Sequence, residues 1–240
     1  VTLSVRGSTA PVPHADGLAS QTPIAQGVAV RSLWLLRSAD DPSPLRVADL
    51  GPASVETDLV SGETSDVATV SLGSLPAGTF TVAKVGVAYV RYSIASRLHQ
   101  GGFAVDGRHD NVQALSEGVT VDGAVRKKGW FRSSFAVGAA TYGTIESGNA
   151  PLPAVASSGG MTLDTSGAES FYVFPVAITI DPAHATDVRL VCEVNVHESF
   201  RWIDQATPGY APGVYDTTPT TFEPVMSFGA SAFSLILEPK

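Results

Sequence analysis

One cysteine, Cys192, serves the whole 240-residue chain, so no disulfide can brace the fold from within. Its apolar flanks in the stretch Val188 to Val196, with Glu193 beside it, describe a buried thiol acting as a small hydrophobe, not a thiolate in an electropositive setting. Charge is scarce as well: 16% of residues carry it, and lysine occurs four times. With 44% hydrophobic residues, that composition excludes a disordered chain, which needs low hydrophobicity and high net charge. The net charge of −8 argues against nucleic acid as a partner, because phosphate binding needs a basic surface. No apolar run reaches the ~18 residues of a membrane-spanning helix, so no transmembrane segment is expected. Long helical periodicity is missing too, since 23 Gly and 16 Pro interrupt every stretch. The chain has no Gly-x-Ser-x-Gly elbow, no phosphate-binding Gly-x4-Gly-Lys loop, no dinucleotide glycine fingerprint and no His-Glu-x-x-His zinc helix, which removes the enzyme classes read most directly from sequence.

What recurs is a period of two. Val28 to Arg37 reads as a strand ending in the polar turn Ser38 to Pro42. The turn Ser74 to Gly78 launches a longer strand, Thr79 to Ile94, whose inward phase changes near Gly86 and predicts a bulge there. Further strands are expected at 118–121, 129–137, 161–163, 170–180, 187–196 and 231–237. Pro175 cannot donate to a ladder, so it belongs at an edge or a bulge. The best helical stretch, Asn111 to Glu117, is two turns at most. Together these features predict an all-β chain: an antiparallel β-sandwich of jelly-roll or Greek-key type with long Gly/Pro-rich loops. A single domain over residues 1–240 is expected, with loose segments at 7–23 and 138–160; the second is the alternative boundary between two β domains.

Charge is unevenly spread. Residues 1–150 hold 13 acidic and 12 basic side chains, whereas residues 151–240 hold 10 acidic and 3 basic. The run Arg126-Lys127-Lys128 reads as a solvated strand end in preference to an anion site. The asymmetry also permits head-to-tail contact between copies, hence a heterologous homo-oligomer.

Three clusters could carry chemistry. Leu98 to Asp110 places His99, Asp106, His109 and Asp110 on one expected hairpin, where they would suit zinc or copper, although their spacing matches no structural zinc pattern and Arg108 would repel a cation. Glu193, Glu198, Asp204 and Asp216 could serve glycoside hydrolysis or hold calcium, but the alternation around Glu193, Asn195 and His197 reads first as a polar outer face. No cofactor is indicated. The third cluster is aromatic: Trp130 and Phe131 after the basic run, and Trp202, Tyr210 and Tyr215 in and after Phe200-Arg-Trp202, form an expected platform for a sugar or a partner protein. Core anchoring is the competing role for the same rings.

The lead-in Leu75-Pro-Ala-Gly-Thr-Phe-Thr81 resembles that of prealbumin-like β-sandwich domains of secreted bacterial proteins. The order of parts, with a late Phe-Arg-Trp segment and a final Phe222 to Phe228 strand, is similar to that of uncharacterised bacterial surface lipoproteins. The resemblance implies a β-sandwich outside the cytoplasm, its signal peptide removed, and carries over no catalytic residue. The expected function is accordingly non-enzymatic: an exported or cell-surface sandwich acting in self-association, adhesion or envelope structure. The alternatives are a carbohydrate-binding module and, after it, a metal-dependent or glycoside-cleaving enzyme.

Overall fold

A computed structural model describes residues 1–148, 150, 160–183 and 187–239. In chain order the strands are β1 (Thr2–Ser8), β2 (Ala19–Gln21), β3 (Ala25–Leu36), β4 (Leu45–Asp49), β5 (Val55–Asp58), β6 (Thr64–Thr69), β7 (Gly78–Gln100), β8 (Phe103–Ala114), β9 (Val119–Val121) and β10 (Ala124–Arg126). They continue as β11 (Phe131–Val137), β12 (Ala140–Ser147), β13 (Thr162–Asp164), β14 (Ser170–Ile180), β15 (Val188–Asn195), β16 (Phe200–Trp202), β17 (Asp216–Thr217), β18 (Val225–Ser227) and β19 (Ala232–Pro239). Among the described residues the only helical element is a single 3-10 turn at Leu72–Ser74. The all-β sandwich expected from the period of two is therefore what forms.

The 23-residue β7 is the spine of the larger, ten-stranded sheet. Along one edge it pairs with β3 from Val82 to Ser93 and then with β17 at Arg97 and Leu98. Along the other it pairs with β14 from Gly78 to Val87 and then with β8 from Tyr89 to Gln100. The changeover between β14 and β8 falls where the register of β3 against β7 slips twice, around Val87 to Tyr89, close to the bulge expected at Gly86. Gly86 is there for space: a Cβ would meet Ser32 Oγ at 2.2 Å and Glu169 Oε1 at 1.9 Å. Ser116 closes the gap between β8 and β14, its buried hydroxyl donating to Val87 O at 2.6 Å and accepting Ser170 N–H at 2.8 Å. Pro175 sits at the second irregularity, the bulge between Pro175 and Ile178, where no donor is needed.

The smaller sheet runs β19-β15-β1-β6 and packs on the spine. Leu3, Val5, Leu190, Cys192 and Val194 from it meet Val28, Leu33, Val85, Val90, Tyr172 and Phe174 from the large sheet in the main core. A second core, with Ala29, Ala88, Tyr89, Val112, Ala114 and Trp130, lies under the hairpin β9–β10, whose Val119 and Val121 belong to it. A three-stranded sheet, β18-β16-β2, completes the architecture.

Four expectations need correction. Pairing is not antiparallel throughout: β1 runs parallel to β15, and β17 parallel to β7. Asn111 to Ala114 is the end of β8, not a helix, because Val112 and Ala114 are needed in the second core. Within the segment 7–23, β1 extends to Ser8 and β2 occupies Ala19–Gln21. Within 138–160, residues 140–147 form β12, paired with β11 across a bulge that puts an extra residue on β12 between Thr141 and Thr144; residues 149 and 151–159 lie outside the described set.

Candidate binding groove

At the end of β7 far from Gly78, the chain turns through Gly101-Gly102, both with positive φ, into β8. Two glycines suit this two-residue hairpin turn because both positions need left-handed backbone. β8 pairs with β11 and β11 with β12, so β12 stands at the open end of the sheet order. Between these strands and the segment 217–222 lies a groove of about 380 Å³. His109 and Ser133 are on its floor, and Leu98, Phe135, Tyr142, Ile145 and Phe222 form its walls. Gly107 makes one wall fit: a Cβ there would lie 2.4 Å from Phe135 Cζ and 2.5 Å from Ala136 O. Asp106-Gly107 thus sits inside a strand.

His109 Nε2 and Ser133 Oγ share a hydrogen bond of 2.9 Å. The imidazole is packed edge-on against Tyr215 and Phe222, at 5.7 and 5.5 Å between ring centroids. Burial, opposed by the nearby Asp110 charge, pushes its pKa down to about 4, so the ring is neutral at pH 7. A neutral imidazole beside a seryl oxygen offers hydrogen bonds to something lying in the groove. As a general base it is weak, because its pKa lies well below neutrality.

Beside the groove, a scaffold of carboxylates holds the segment 203–223. His99 Nε2 donates to the fully buried Asp216 Oδ1 at 2.5 Å, and Tyr210 stacks on His99 with centroids 4.8 Å apart. Asp216 Oδ2 accepts Ala211 N–H, while the buried Glu223 accepts Gln205 N–H and Asp216 N–H, one on each oxygen. Asp204 accepts Gly213 N–H. Burial raises the Glu223 carboxyl above its ordinary range, these two N–H donors pull it back, and the neighbouring Asp204 and Asp216 charges add to the rise. Each carboxylate answers main-chain donors of a Pro/Gly-rich loop that has no ladder of its own.

The four hairpin residues read as metal ligands find separate partners. His99 goes to Asp216, and Asp106 to Arg97 at 2.6 Å. Asp110 accepts from Ser93 and Arg108, and His109 pairs with Ser133. The aromatic platform needs correction too. Trp202 is fully buried and Tyr215 is 1% exposed; with Phe200 they pack edge-on or tilted within 5.7 Å. Trp130 is buried under the guanidinium of Arg126, 4.0 Å from its ring, and donates Nε1–H to Glu146. Phe131 and Tyr210 are half-buried. These rings present no common open face. The exposed apolar side chains at this end are others: Phe103 (77% exposed), Tyr142 (57%), Ile145 and Phe222. Their sequence signal is weak, because single apolar residues among Gly, Thr and Ser show no periodicity.

The basic segment is largely neutralised within the sheet. Arg91 pairs with Glu56 and Asp122, Arg132 with Asp122, and Arg126 with Glu146. Lys128 Nζ donates to Thr165 O and Gly167 O.

Among the described residues one trio has metal-ligating atoms within 4.8 Å of one another: His14, His197 and Glu198. Its hydrogen bonds do not suit a cation. Arg201 Nη1 donates to His14 Nδ1 at 2.5 Å, and Val12 N–H donates to His197 Nδ1 at 3.3 Å. Accepting at Nδ1 puts the proton of each neutral ring on Nε2, the atom a metal would need, and the Arg201 charge repels a cation. No protein-family model, no curated protein and no solved structure matches the chain.

Proposed function

We propose that the protein is a non-enzymatic association module, exported or displayed at a cell surface, that pairs with a second copy of itself along β12. The observation that carries this reading is the state of that edge. Residues 140–146 of β12 are all exposed, and the strand contains no Pro, no Lys or Arg and a single charge, Glu146. Edges that stay unpaired are ordinarily blunted by such residues, by bulges or by covering segments, and of these β12 has only the bulge between Thr141 and Thr144. A copy laid antiparallel about a point between Gly143 and Thr144 sets Tyr142 of each chain against Ile145 of the other, an aromatic to β-branched pair of the kind that stabilises sheets. It also sets Glu146 against Thr141, avoiding facing like charges. The groove beside the edge receives side chains of the added strand, as in recognition by strand addition generally. Pairing like edge with like edge closes a two-fold dimer, in place of the head-to-tail array that the charge asymmetry allows. The location outside the cytoplasm rests on composition and on the short prealbumin-like lead-in.

Light scattering on the intact chain tests the reading. Wild type is expected to run as a dimer at high concentration and Ile145→Lys as a monomer with unchanged circular dichroism. A strict wild-type monomer across the concentration range overturns it.

A further inference from the structure

The segment 9–18 crosses the end of β15 and the face of β16 without strand structure, yet it is tied down by polar contacts. Asn195 Nδ2 donates to Ala10 O at 2.9 Å. Val12 N–H donates to His197 Nδ1, and Arg201 reaches back from β16 to both His14 Nδ1 and Asp16 Oδ1. The Arg201 side chain is 3% exposed, so the segment is what covers it. Two of these ties share one chemical requirement: an imidazole Nδ1 must offer a lone pair.

We infer that residues 9–18 form an acid-released clasp, in which protonation of His14 undocks the segment and uncovers Arg201. A proton on Nδ1 of His14 removes the acceptor and sets two cations face to face across 2.5 Å. The charged groups around the rings are few. Asp16 on the segment is already engaged by Arg201, Glu198 lies in the turn after β15, and Arg201 lies on β16. From the remaining packed segments, Thr22 and Ser231 contribute only hydroxyls, which bond to Glu198 N–H and His197 O. Burial and the Arg201 charge oppose a proton on His14 and prevail over the His197 backbone and the Glu198 charge, which favour it, leaving its pKa below the ordinary 6.5. The docked form therefore holds fewer protons than the released one. Docking is complete above about pH 6.5 and weakens as pH falls through the released ring's ordinary value. Glu198 holds a left-handed backbone at φ 48°, so the turn that presents His197 has a fixed shape.

Hydrogen exchange of the full chain, corrected for intrinsic rates, reads the opening directly. Between pH 7.5 and 5.5 the opening constant of the Val12 amide is expected to rise about five- to tenfold, as one proton is taken up on release. The Val191 amide, in the core of β15, should not change. In His14→Asn with His197→Asn, where an amide oxygen replaces each Nδ1 acceptor but cannot titrate, Val12 is expected to stay protected throughout. Equal protection of wild type at both pH values overturns the clasp, as does a double variant that keeps the wild-type pH dependence. Should the double variant not fold, an NMR titration of His14 in wild type decides: a value at or above 6.5 refutes the proposal. Loss of protection on adding EDTA at pH 7.5 would also refute it, showing a metal where the clasp needs the His14 ring to accept from Arg201.

Discussion

The aromatic residues at the groove end fall into two groups that are close in space and opposite in state. Phe200, Trp202 and Tyr215 are sealed, whereas Phe103, Tyr142 and Phe222 stand at the surface. The sealed group brackets a breaker-rich stretch that would ordinarily stay open. It closes because Asp204, Asp216 and Glu223 satisfy the main-chain donors of that stretch, allowing Tyr215 to turn inward with its hydroxyl on Glu223 O. Phe103 and Tyr142 sit on strands held by β7 and β11, and Phe222 at a bridge to Thr217, so no loop folds those rings inward. Polar satisfaction of the loop, more than the rings' own hydrophobicity, decides which aromatics are buried. His109 touches both groups.

The contrast can be broken hardest from the sealed side. Trp202→Ala removes a fully buried ring and is expected to lower unfolding free energy by about 3–5 kcal/mol in chemical denaturation. Next comes the residue between the groups. His109 is neutral in the fold with a value near 4 and returns to 6.5 when unfolded, so it favours the fold fully above pH 6.5, and that contribution is lost as pH falls towards 4. The loss is on the order of 3 kcal/mol at pH 4, and His109→Gln should flatten this limb of the stability profile. The smallest effect belongs to the exposed group: Tyr142→Ala should change stability by no more than about 0.5 kcal/mol while weakening self-association. Equal destabilisation by Trp202→Ala and Tyr142→Ala would erase the distinction.

The strands that bury one face were legible because alternation records burial: β14 and β15 show it, and Pro175 marked its bulge, whereas β3 and the middle of β7, buried on both faces, were legible as β-branched and aromatic runs. β12 was not legible for the same reason. Both of its faces meet solvent, so Thr141, Gly143 and Thr144 carry no alternation and read as loop. The end of β8 misled because Asn111 and Gln113 are polar yet buried, which disguises a strand as a short amphipathic turn. The candidate site was legible only in its parts. His99 and His109 stood out as residues, but their partners, Asp216 and Ser133, lie 117 and 24 positions away and come from other strands. Nothing local specifies such pairs. The Phe-Arg-Trp segment drew attention for its rings, whereas Arg201 between them makes the contacts that hold residues 9–18.

The order of the smaller sheet has a consequence for where the molecule can make contact. Thr2 lies opposite Arg189, and Arg189 opposite Glu238, so β1 begins and β19 finishes at the same end of the sheet, with β15 between them. Val1 and Leu237 line one apolar recess with Leu75 and Ile180, next to the start of β7, whereas the groove lies at that strand's other end. At about 3.3 Å per residue, the 20 steps from Gly78 to Leu98 put these two poles some 65 Å apart along the strand. The apolar recess and the β12 edge thus face opposite poles of the molecule, so a contact at one leaves the other free.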